Sequence, residues 1–503
     1  GIQSHGLKGE MPAPEALNRL LKGTGFSANR DASGVIAITR AQSSHVDLVE
    51  PLQLAQATTS HAAVETVTVT SSKLGGADVQ SIPIAITAMS QEQLTSTQTA
   101  GGPDLVKQVP NLTFSKTNFS GYNIQIRGIG TQAISVTTDP AVAVALNDIP
   151  FIRNHFFEQE FYDLAQAEVL RGPQGTLYGR NATAGVVNLI PAKPSDQFEL
   201  MVSADGGNYS NRRFEGMINI PVIDDRLDVR LAGEWTKRDG YSFNELTASP
   251  IDGRDLWSGR LSIAIKPVES LRATIVWEHF SEDDDRLRSS KQLCKTAPTP
   301  AEVGGVPVGT PGGWDHNGGG ALPVADFFSQ GCQMGSLYSP DAFGVPNAFA
   351  LPYFLGLSYV GYSSSNVDPY LNNQQSSNLR SIQSSLDPTY KAKNDTVELN
   401  TDYDIAPGLT LTSQTGYNHD NLRSTEDYNR FNSAPGVFQS AGGVPGDARA
   451  PTLVSADGVF CDPQLGCADR IVAEDLSDEH AWQLSQEFRL TSTFSGPFNF
   501  SLG

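Results

Sequence analysis

Hydrophobic and polar residues change rhythm along this chain, and the change divides it. From about residue 194 onward, segments of roughly ten residues alternate with period two, as strands do when one face is apolar and the other polar. In RLDVRLAGEW, Leu227, Val229, Leu231 and Trp235 share one face while Asp228, Arg230 and Glu234 share the other. DTVELNTDYDI sets Val397, Leu399, Tyr403 and Ile405 against Glu398, Asn400 and Asp402. AWQLSQEFRL sets Trp482, Leu484, Phe488 and Leu490 against Gln483, Ser485, Glu487 and Arg489. The pattern predicts strands over 197–204, 212–220, 226–236, 256–266, 271–281, 394–404, 409–419, 481–491 and 496–503.

The joins at PVIDD, KPVES, IAPG and FSGP are tight, whereas those at 237–255, 282–393 and 420–480 are long. This alternation puts the tight turns at one end of an up-and-down sheet and the long loops at the other, as in a transmembrane barrel. A soluble sandwich also alternates apolar and charged faces but does not predict that asymmetry. The apolar run AVAVAL at 141–146 is far below the roughly 18–20 residues of a membrane helix.

The earlier part reads differently. Over 75–193 the short β-like runs IPIAIT, NIQIRGIG, AVAVALNDIPF, AEVLRG and AGVVNLI alternate with turn signals, and Pro103 opens a short helix over 103–108, giving a Gly-rich α+β domain. Residues 41–63 read as a linker. In VETVTVTSSK, Val67 and Val69 alternate with Thr66, Thr68 and Thr70, which suits either an edge strand or a strand added to a partner's sheet. Ala16, Leu17, Leu20 and Leu21 lie at helical spacing between Pro14 and Gly23, and VIAIT at 35–39 is strand-like, so residues 1–40 read as half of a small α/β unit. GIQSHGLKGEM carries no signal-peptide pattern, and the start is expected to be trimmed.

Charge and chemistry narrow the picture. With 35 Lys+Arg against 55 Asp+Glu and a net charge of −20, the chain lacks the basic face that duplex nucleic acid requires. Cys294, Cys332, Cys461 and Cys467 fall in Gly/Pro-rich long connections without zinc-site spacing, which points to two disulfides of open connectivity in an oxidising compartment. The eight histidines form no close ligand pair, and no Ser/His/Asp or Cys/His set is suggested, so neither a metal centre nor an enzyme is expected. GIGTQA at 128–133 fits a dinucleotide pattern, but no long helix follows it, and Glu282 to Asp285 lack calcium-loop spacing.

Four ordered stretches, IPIAITAMSQEQL (82–94), DLVKQVPNL (104–112), IQIRGIG (124–130) and EVLRGPQGTLYGRNATAGVVNLI (168–190), resemble the plug signatures of TonB-dependent outer-membrane receptors. VETVTVT (64–70) is similar to the TonB box, and LSQEFRL (484–490) to a barrel-strand motif of that family. Residues 6–40 resemble the second half of a secretin/TonB short N-terminal domain. The resemblance implies a partial signalling domain at 1–40, a linker with the TonB box at 41–74, an α+β plug at 75–193 and the N-terminal part of a transmembrane antiparallel β-barrel at 194–503. Such barrels have about twenty-two strands, so the nine read here imply a fragment or a truncated product.

The implied function is energised import of a scarce ligand, a ferric siderophore or other iron complex, across the outer membrane of a Gram-negative bacterium, with transmembrane signalling as an added role. A ligand-sensing transducer and an importer of a carbohydrate or cobalamin are the alternatives; a passive porin needs neither plug nor box. The iron complex is cargo, and no resident cofactor is implied. TonB, with its inner-membrane energising complex, would take Glu65, Thr66, Val67, Thr68, Val69 and Thr70 as an added strand, and an anti-sigma regulator would meet the N-terminal domain. Plug and N-terminal domain would lie on the periplasmic side, and the barrel would meet outer-membrane lipid. Arg127 and Arg171 match family arginines that pair with wall carboxylates, with Glu487 as a partner. By the family pattern, the plug's outward loops offer Lys116, Asn118, Phe119 and Tyr122, and Arg153, Asn154, His155, Phe156 and Phe157, to an anionic chelate. One departure stands out: Asn147-Asp148-Ile149 replaces the family's Asp-Gly turn.

Overall fold

The computed structural model describes residues 82–503 with interruptions, chiefly at 117–121, 133–137, 308–330, 348–369 and 436–454. Before residue 82 it describes only 21, 26–30, 36–40, 68–69 and 77–78. The chain divides into two compact units, residues 1–65 and 66–503. In the first, Phe26–Arg30 and Ile36–Arg40 pair as an antiparallel hairpin, the second strand lying where VIAIT was expected to extend. Leu21 is helical, and the rest of the expected helix lies outside the described residues.

The second unit begins with an α+β part. Strand β1 (Ala85–Ser90) runs into helix α1 (Gln91–Ser96) through a capping box. There the Ser90 hydroxyl accepts the Gln93 amide at 3.3 Å and the Gln93 side chain accepts the Ser90 amide at 3.2 Å, satisfying two otherwise orphaned donors. Helix α2 (Gly102–Leu105) carries Pro103 in its first turn and ends sooner than the expected 103–108. Then follow β2 (Leu112–Lys116), β3 (Tyr122–Ile126), β4 (Val142–Leu146), β5 (Ile149–Pro150), β6 (Leu164–Arg171) and β7 (Gly185–Pro191). Their five-stranded sheet has the order β5-β4-β7-β6-β1, and only β4 and β7 pair in parallel. Those two central strands are buried throughout, which is why they read as near-continuous apolar runs rather than alternating ones. A Cβ at Gly185 would stand 2.3 Å from the Leu170 carbonyl oxygen, so glycine is required where β7 crosses β6.

The remainder is one antiparallel sheet of nine strands in sequence order. They are β8 (Glu199–Gly206), β9 (Arg212–Ile223), β10 (Leu227–Arg238), β11 (Arg254–Val268), β12 (Leu271–Asp284), β13 (Thr389–Ala406), β14 (Leu409–Asp427), β15 (Glu474–Ser492) and β16 (Ser501–Leu502). Register converts the alternation into continuous rows. Leu231, Leu261, Trp277, Val397, Tyr417 and Leu484 are successive cross-strand partners, as are Arg230, Ser262, Val276, Glu398, Gly416 and Ser485 one residue away. The first row lies on the outer face, where Trp482, Leu484 and Phe488 are 67, 64 and 61% exposed; the second faces inward, and Arg230 and Glu398 in it are buried. An apolar exterior around a charged, filled interior is the reverse of a soluble sandwich and is what hydrocarbon surroundings require. No helix among the described residues is long and apolar enough to cross a membrane.

Both disulfides lie in the long connections, Cys294 with Cys332 and Cys461 with Cys467. The connection after β12 is rooted at both ends. The buried Arg288 ion-pairs with Asp475 at 2.5 Å and Glu426 at 3.5 Å, and Asp387 accepts from Asn244, Thr247 and Ser249 at 2.9, 2.7 and 2.8 Å.

Leu484→Arg in the full-length protein places a guanidinium in the lipid-facing row. It is expected to lower the unfolding free energy in bilayers by about 2–4 kcal/mol, read from denaturant titration of the reconstituted barrel.

Candidate functional site

The inside of the wall is filled by the α+β part, and the densest contact is a six-residue acidic run, Glu158 to Asp163. Phe161 and Tyr162 point the run into the core, both buried, and the polar residues around them all reach the wall. Glu158 ion-pairs with Arg286 at 2.7 Å and with Lys116 of its own part at 2.8 Å, and Arg254 donates to its carbonyl at 3.3 Å. Gln159 donates to Glu278 at 2.9 Å; Glu160 takes Arg213 at 3.1 Å and Thr236 at 2.8 Å. Asp163 holds Arg230 through both carboxylate oxygens, at 2.6 and 2.9 Å, a bidentate pair in which both side chains are buried. Arg260 bonds Glu278 at 2.6 Å and the Asp163 carbonyl at 3.0 Å, with its guanidinium carbon 4.5 Å from the centre of the Tyr162 ring.

Electrostatics follow from the surroundings. Burial works to raise the Glu158 carboxyl, but Arg286, Lys116 and Arg254 together outweigh it and hold the group well below the usual carboxylate range. The Tyr162 hydroxyl is pushed up by burial and then by the nearby carboxylates, so it remains a neutral donor. Beside Glu158, toward the long connections, a cavity of about 280 Å³ opens between the two parts, lined among others by Lys116, Glu160, Arg238, Tyr241, Asp252 and Arg254. The Tyr241 hydroxyl is raised to about 12 by burial and the adjacent Asp252. The cavity offers both signs of charge and an aromatic face, a suitable lining for a polar ligand rather than for an apolar one. Among the described residues no group of His, Cys, Asp and Glu side chains is arranged to hold a metal ion.

Residues 78–186 match the family described as TonB-dependent receptor plug domain. That stretch contains β1 to β6 and all of the acidic run. That stretch is a TonB-dependent receptor plug domain. Among curated relatives, the ferric-pyoverdine 358 receptor of Pseudomonas putida is 25% identical over 253 residues, 48% of this chain and 30% of that protein. An iron-regulated outer membrane virulence protein of Vibrio cholerae is 31% identical over 170 residues, 32% of this chain and 26% of that protein. The solved structure of the ferripyoverdine receptor of the Pseudomonas aeruginosa outer membrane superposes with a TM-score of 0.50 at 13% identity, over 98% of this chain and 49% of that one. The chain thus spans less than half the length of these proteins. The family is one of receptors rather than enzymes, and the apolar exterior of the wall fits its place in the outer membrane of Gram-negative bacteria.

Along the acidic run the anchoring has the opposite polarity to the one expected. Neither Arg127 nor Arg171 forms an ion pair with a carboxylate among the described residues, and Arg171 Nε is buried without a hydrogen-bond partner there. Arg127 adopts a φ of +54° at a turn, and its guanidinium would stand 3.6 Å from a Cβ at Gly172, so Arg127 lies beside the plug's own backbone. Glu487 is paired with Arg489 on its own strand at 2.9 Å. Along the acidic run the plug supplies the acids and the wall the arginines; at Arg153, which pairs with Glu479 of the wall, the polarity is the expected one. Alternation along FEQEFYD was visible in the sequence, as were inward arginines at 213, 230, 254 and 260, but nothing in the sequence alone joins them.

The apical residues proposed for ligand contact are also placed differently. Tyr122, Phe156 and Phe157 are core residues; Tyr122 meets Tyr390 hydroxyl to hydroxyl at 3.3 Å, and Phe156 packs edge-on against Phe280 of the wall. Arg153 pairs with Glu479 of the wall and lies 3.7 Å from Asp139, while Asn154 donates to the Tyr122 carbonyl at 3.0 Å. Of the nine, Lys116 alone lines the outer cavity. Large aromatic groups beside a wall gain more by burial than by waiting for a ligand. Asn118 and Phe119 lie outside the described residues, as does the side chain of His155. In the TonB-box stretch, Thr68–Val69 pair antiparallel with Ala77–Asp78; Glu65, Thr66, Val67 and Thr70 lie outside the described residues.

Glu158→Gln removes one of the two carboxylates paired with the buried Arg286, Glu282 of the wall at 3.3 Å being the other, and is expected to destabilise plug docking in the full-length protein by about 1.5–3 kcal/mol, measured by denaturant titration of plug release. Because the folded carboxyl titrates below its unfolded value, its contribution is complete above about pH 4.5 and disappears as pH falls through the folded value. The gap between the unmodified receptor and the Glu158→Gln variant is therefore expected to be constant from about pH 7 to 5 and to close below that range.

Proposed function

We propose that this chain is the plug and part of the barrel of an energised importer that takes an iron chelate across the outer membrane. The observation that carries the reading is the polar seam between plug and wall. Arg230 and Arg286 meet Asp163 and Glu158 through ion pairs and Arg260 donates to the Asp163 carbonyl, beside an apolar cluster in which Phe156 and its neighbours meet Phe280 and Leu256 of the wall. Such a seam holds the plug in register yet can be rehydrated pair by pair, which suits a plug that must partly yield. Supporting it, Thr68–Val69, within the stretch that resembles a TonB box, have extended, paired backbone, the conformation that strand addition to TonB needs.

The outer membrane holds no nucleotide supply, so the work would come from a pull by TonB on residues 65–70 after ligand has bound near the long connections. The cationic groups lining the outer cavity, Lys116, Arg238 and Arg254, favour an anionic chelate, and the iron-related names of the relatives support iron as cargo. A carbohydrate or cobalamin cargo would use the same seam. The hairpin Phe26–Arg30 with Ile36–Arg40, in a stretch resembling a secretin/TonB short N-terminal domain, favours an added signalling role toward an anti-sigma regulator.

Deleting residues 65–70 from the full-length receptor is expected to abolish uptake of a radiolabelled ferric siderophore while binding to whole cells is retained. Uptake that persists after the deletion would remove the import reading.

A further inference from the structure

The turn between β4 and β5 joins three parts of the molecule. Between β4 and β5 the chain reverses over Asn147 and Asp148, with φ of +46° and +72°, and Leu146 faces Ile149 across it. Positive φ at both central residues is the type I′ hairpin geometry, for which glycine is favoured at the second position. A carboxylate there costs backbone strain, so the side chain has work elsewhere. Asp148 Oδ1 accepts from the Tyr178 hydroxyl at 2.9 Å and from Asn188 Nδ2 at 2.8 Å, and the Asp148 amide donates to Asn188 Oδ1 at 3.0 Å. Tyr178 and Asn188 are both buried, and Tyr178 ends the helical turn Gly175–Tyr178 in the Gly-rich stretch that follows β6.

The other half of the turn faces the wall. Asn147 Nδ2 donates to Glu398 Oε2 of β13 at 3.0 Å, and Gln414 Nε2 of β14 donates to the Asn147 carbonyl at 2.9 Å. Gln483 of β15 donates to the Pro150 carbonyl at 2.7 Å. Gly416 lets β14 come close, because a Cβ there would stand 2.7 Å from two carbons of Ile149. Glu398 and Gly416 are cross-strand partners, so these wall contacts converge on one patch. Beside it, a cavity of about 170 Å³ is lined by Asn147, Asp148, Lys193, Arg272, Asp402 and Arg489, among others, toward the tight-turn end of the sheet.

We propose that the Asn147-Asp148 turn is a latch that couples the barrel wall to the Gly-rich plug segment 172–185, so that losing the wall contact at Glu398 loosens Tyr178, which that side chain does not hydrogen-bond. Asp148 is the positioning residue of the latch. Its carboxylate transmits the coupling, and glycine in its place keeps the turn but uncouples the ends. Release of the latch would open the 170 Å³ cavity along the plug's flank. That last use rests on the import reading; the coupling does not.

The test is hydrogen exchange in the full-length receptor over 140–152 and 172–190, for the unmodified protein, Glu398→Ala, Asp148→Gly, Asp148→Asn and Glu398→Ala with Asp148→Gly. Glu398→Ala should speed exchange about tenfold both at the turn and at 175–189. Asp148→Gly, which relieves the strained φ and keeps the hairpin, should speed 175–189 while β4 stays protected, and adding Glu398→Ala should produce no further change at 175–189. Asp148→Asn, which tolerates the same φ and still accepts from Tyr178, should retain most of the protection. Acceleration confined to 140–152 in Glu398→Ala, or unchanged exchange at 175–189 in Asp148→Gly, overturns the latch. Siderophore uptake measured on the same variants bears only on import: an unmodified receptor that takes up nothing refutes the import reading and leaves the exchange result to decide the latch.

Discussion

The structure depends on one requirement: charges that are removed from water inside a barrel must find partners there. Arg230, Arg260 and Arg286 stand on or beside inward positions of the wall, where solvent is excluded by the plug. Each alone would cost several kcal/mol to bury. The run from Glu158 to Asp163 answers them with two carboxylates, the Tyr162 and Asp163 carbonyls and an aromatic face. Fold and fit are therefore linked. Only a wall in this register presents arginines at those heights, and only a plug that delivers an extended acidic segment can be accepted by it. The apolar contacts, such as Phe156 against Phe280, add burial but little directional information.

The same seam explains how a plug can be both seated and movable. A continuous apolar interface would have to expose its whole area at once before parting. A row of ion pairs can exchange partners with water one at a time, and each exchange is smaller than the total. The Asn147-Asp148 turn adds amide contacts to the seam, and its partner Glu398 lies in the same cross-strand row as Arg230, so amide bonds and charged pairs stand side by side on the wall.

The wall's nine strands were legible in number, order and tight-turn ends because period-two alternation and tight-turn spacing are local properties. By contrast, β14 and β15 run on to Asp427 and from Glu474, beyond the expected 419 and 481, and β16 covers only Ser501–Leu502 of the expected 496–503. Even β13, whose observed start at Thr389 precedes the expected 394, extends by the same alternation. Strands β4 and β7 were legible as apolar runs. The site was legible only in its parts. Arg127 and Arg171 were chosen by motif, yet Arg127 lies beside plug backbone at Gly172 and Arg171 Nε is buried without a partner among the described residues, while the acidic run was passed over because its partners lie as far as 128 residues away in sequence. Charge pairing of that separation leaves no periodicity. Tyr122, Phe156 and Phe157 were placed on the correct loops but assigned to a ligand, whereas the wall they face buries them; a loop read without its surroundings looks exposed. The Asn147-Asp148 departure was visible as an anomaly, and its meaning required Tyr178, Asn188 and Glu398 to be brought around it.

The central claim, that wall arginines and plug acids hold the plug, is tested most directly by exchanging the Arg230 and Asp163 charges in a double-mutant cycle on the full-length receptor. The measured quantity is the free energy of plug release in Arg230→Asp, Asp163→Arg and the swapped pair. If the bidentate pair is the seat of docking, each single change is strongly destabilising, and the swap recovers a coupling energy of about 2 kcal/mol or more. Additive losses, with the swap as weak as the sum of its parts, would contradict the account.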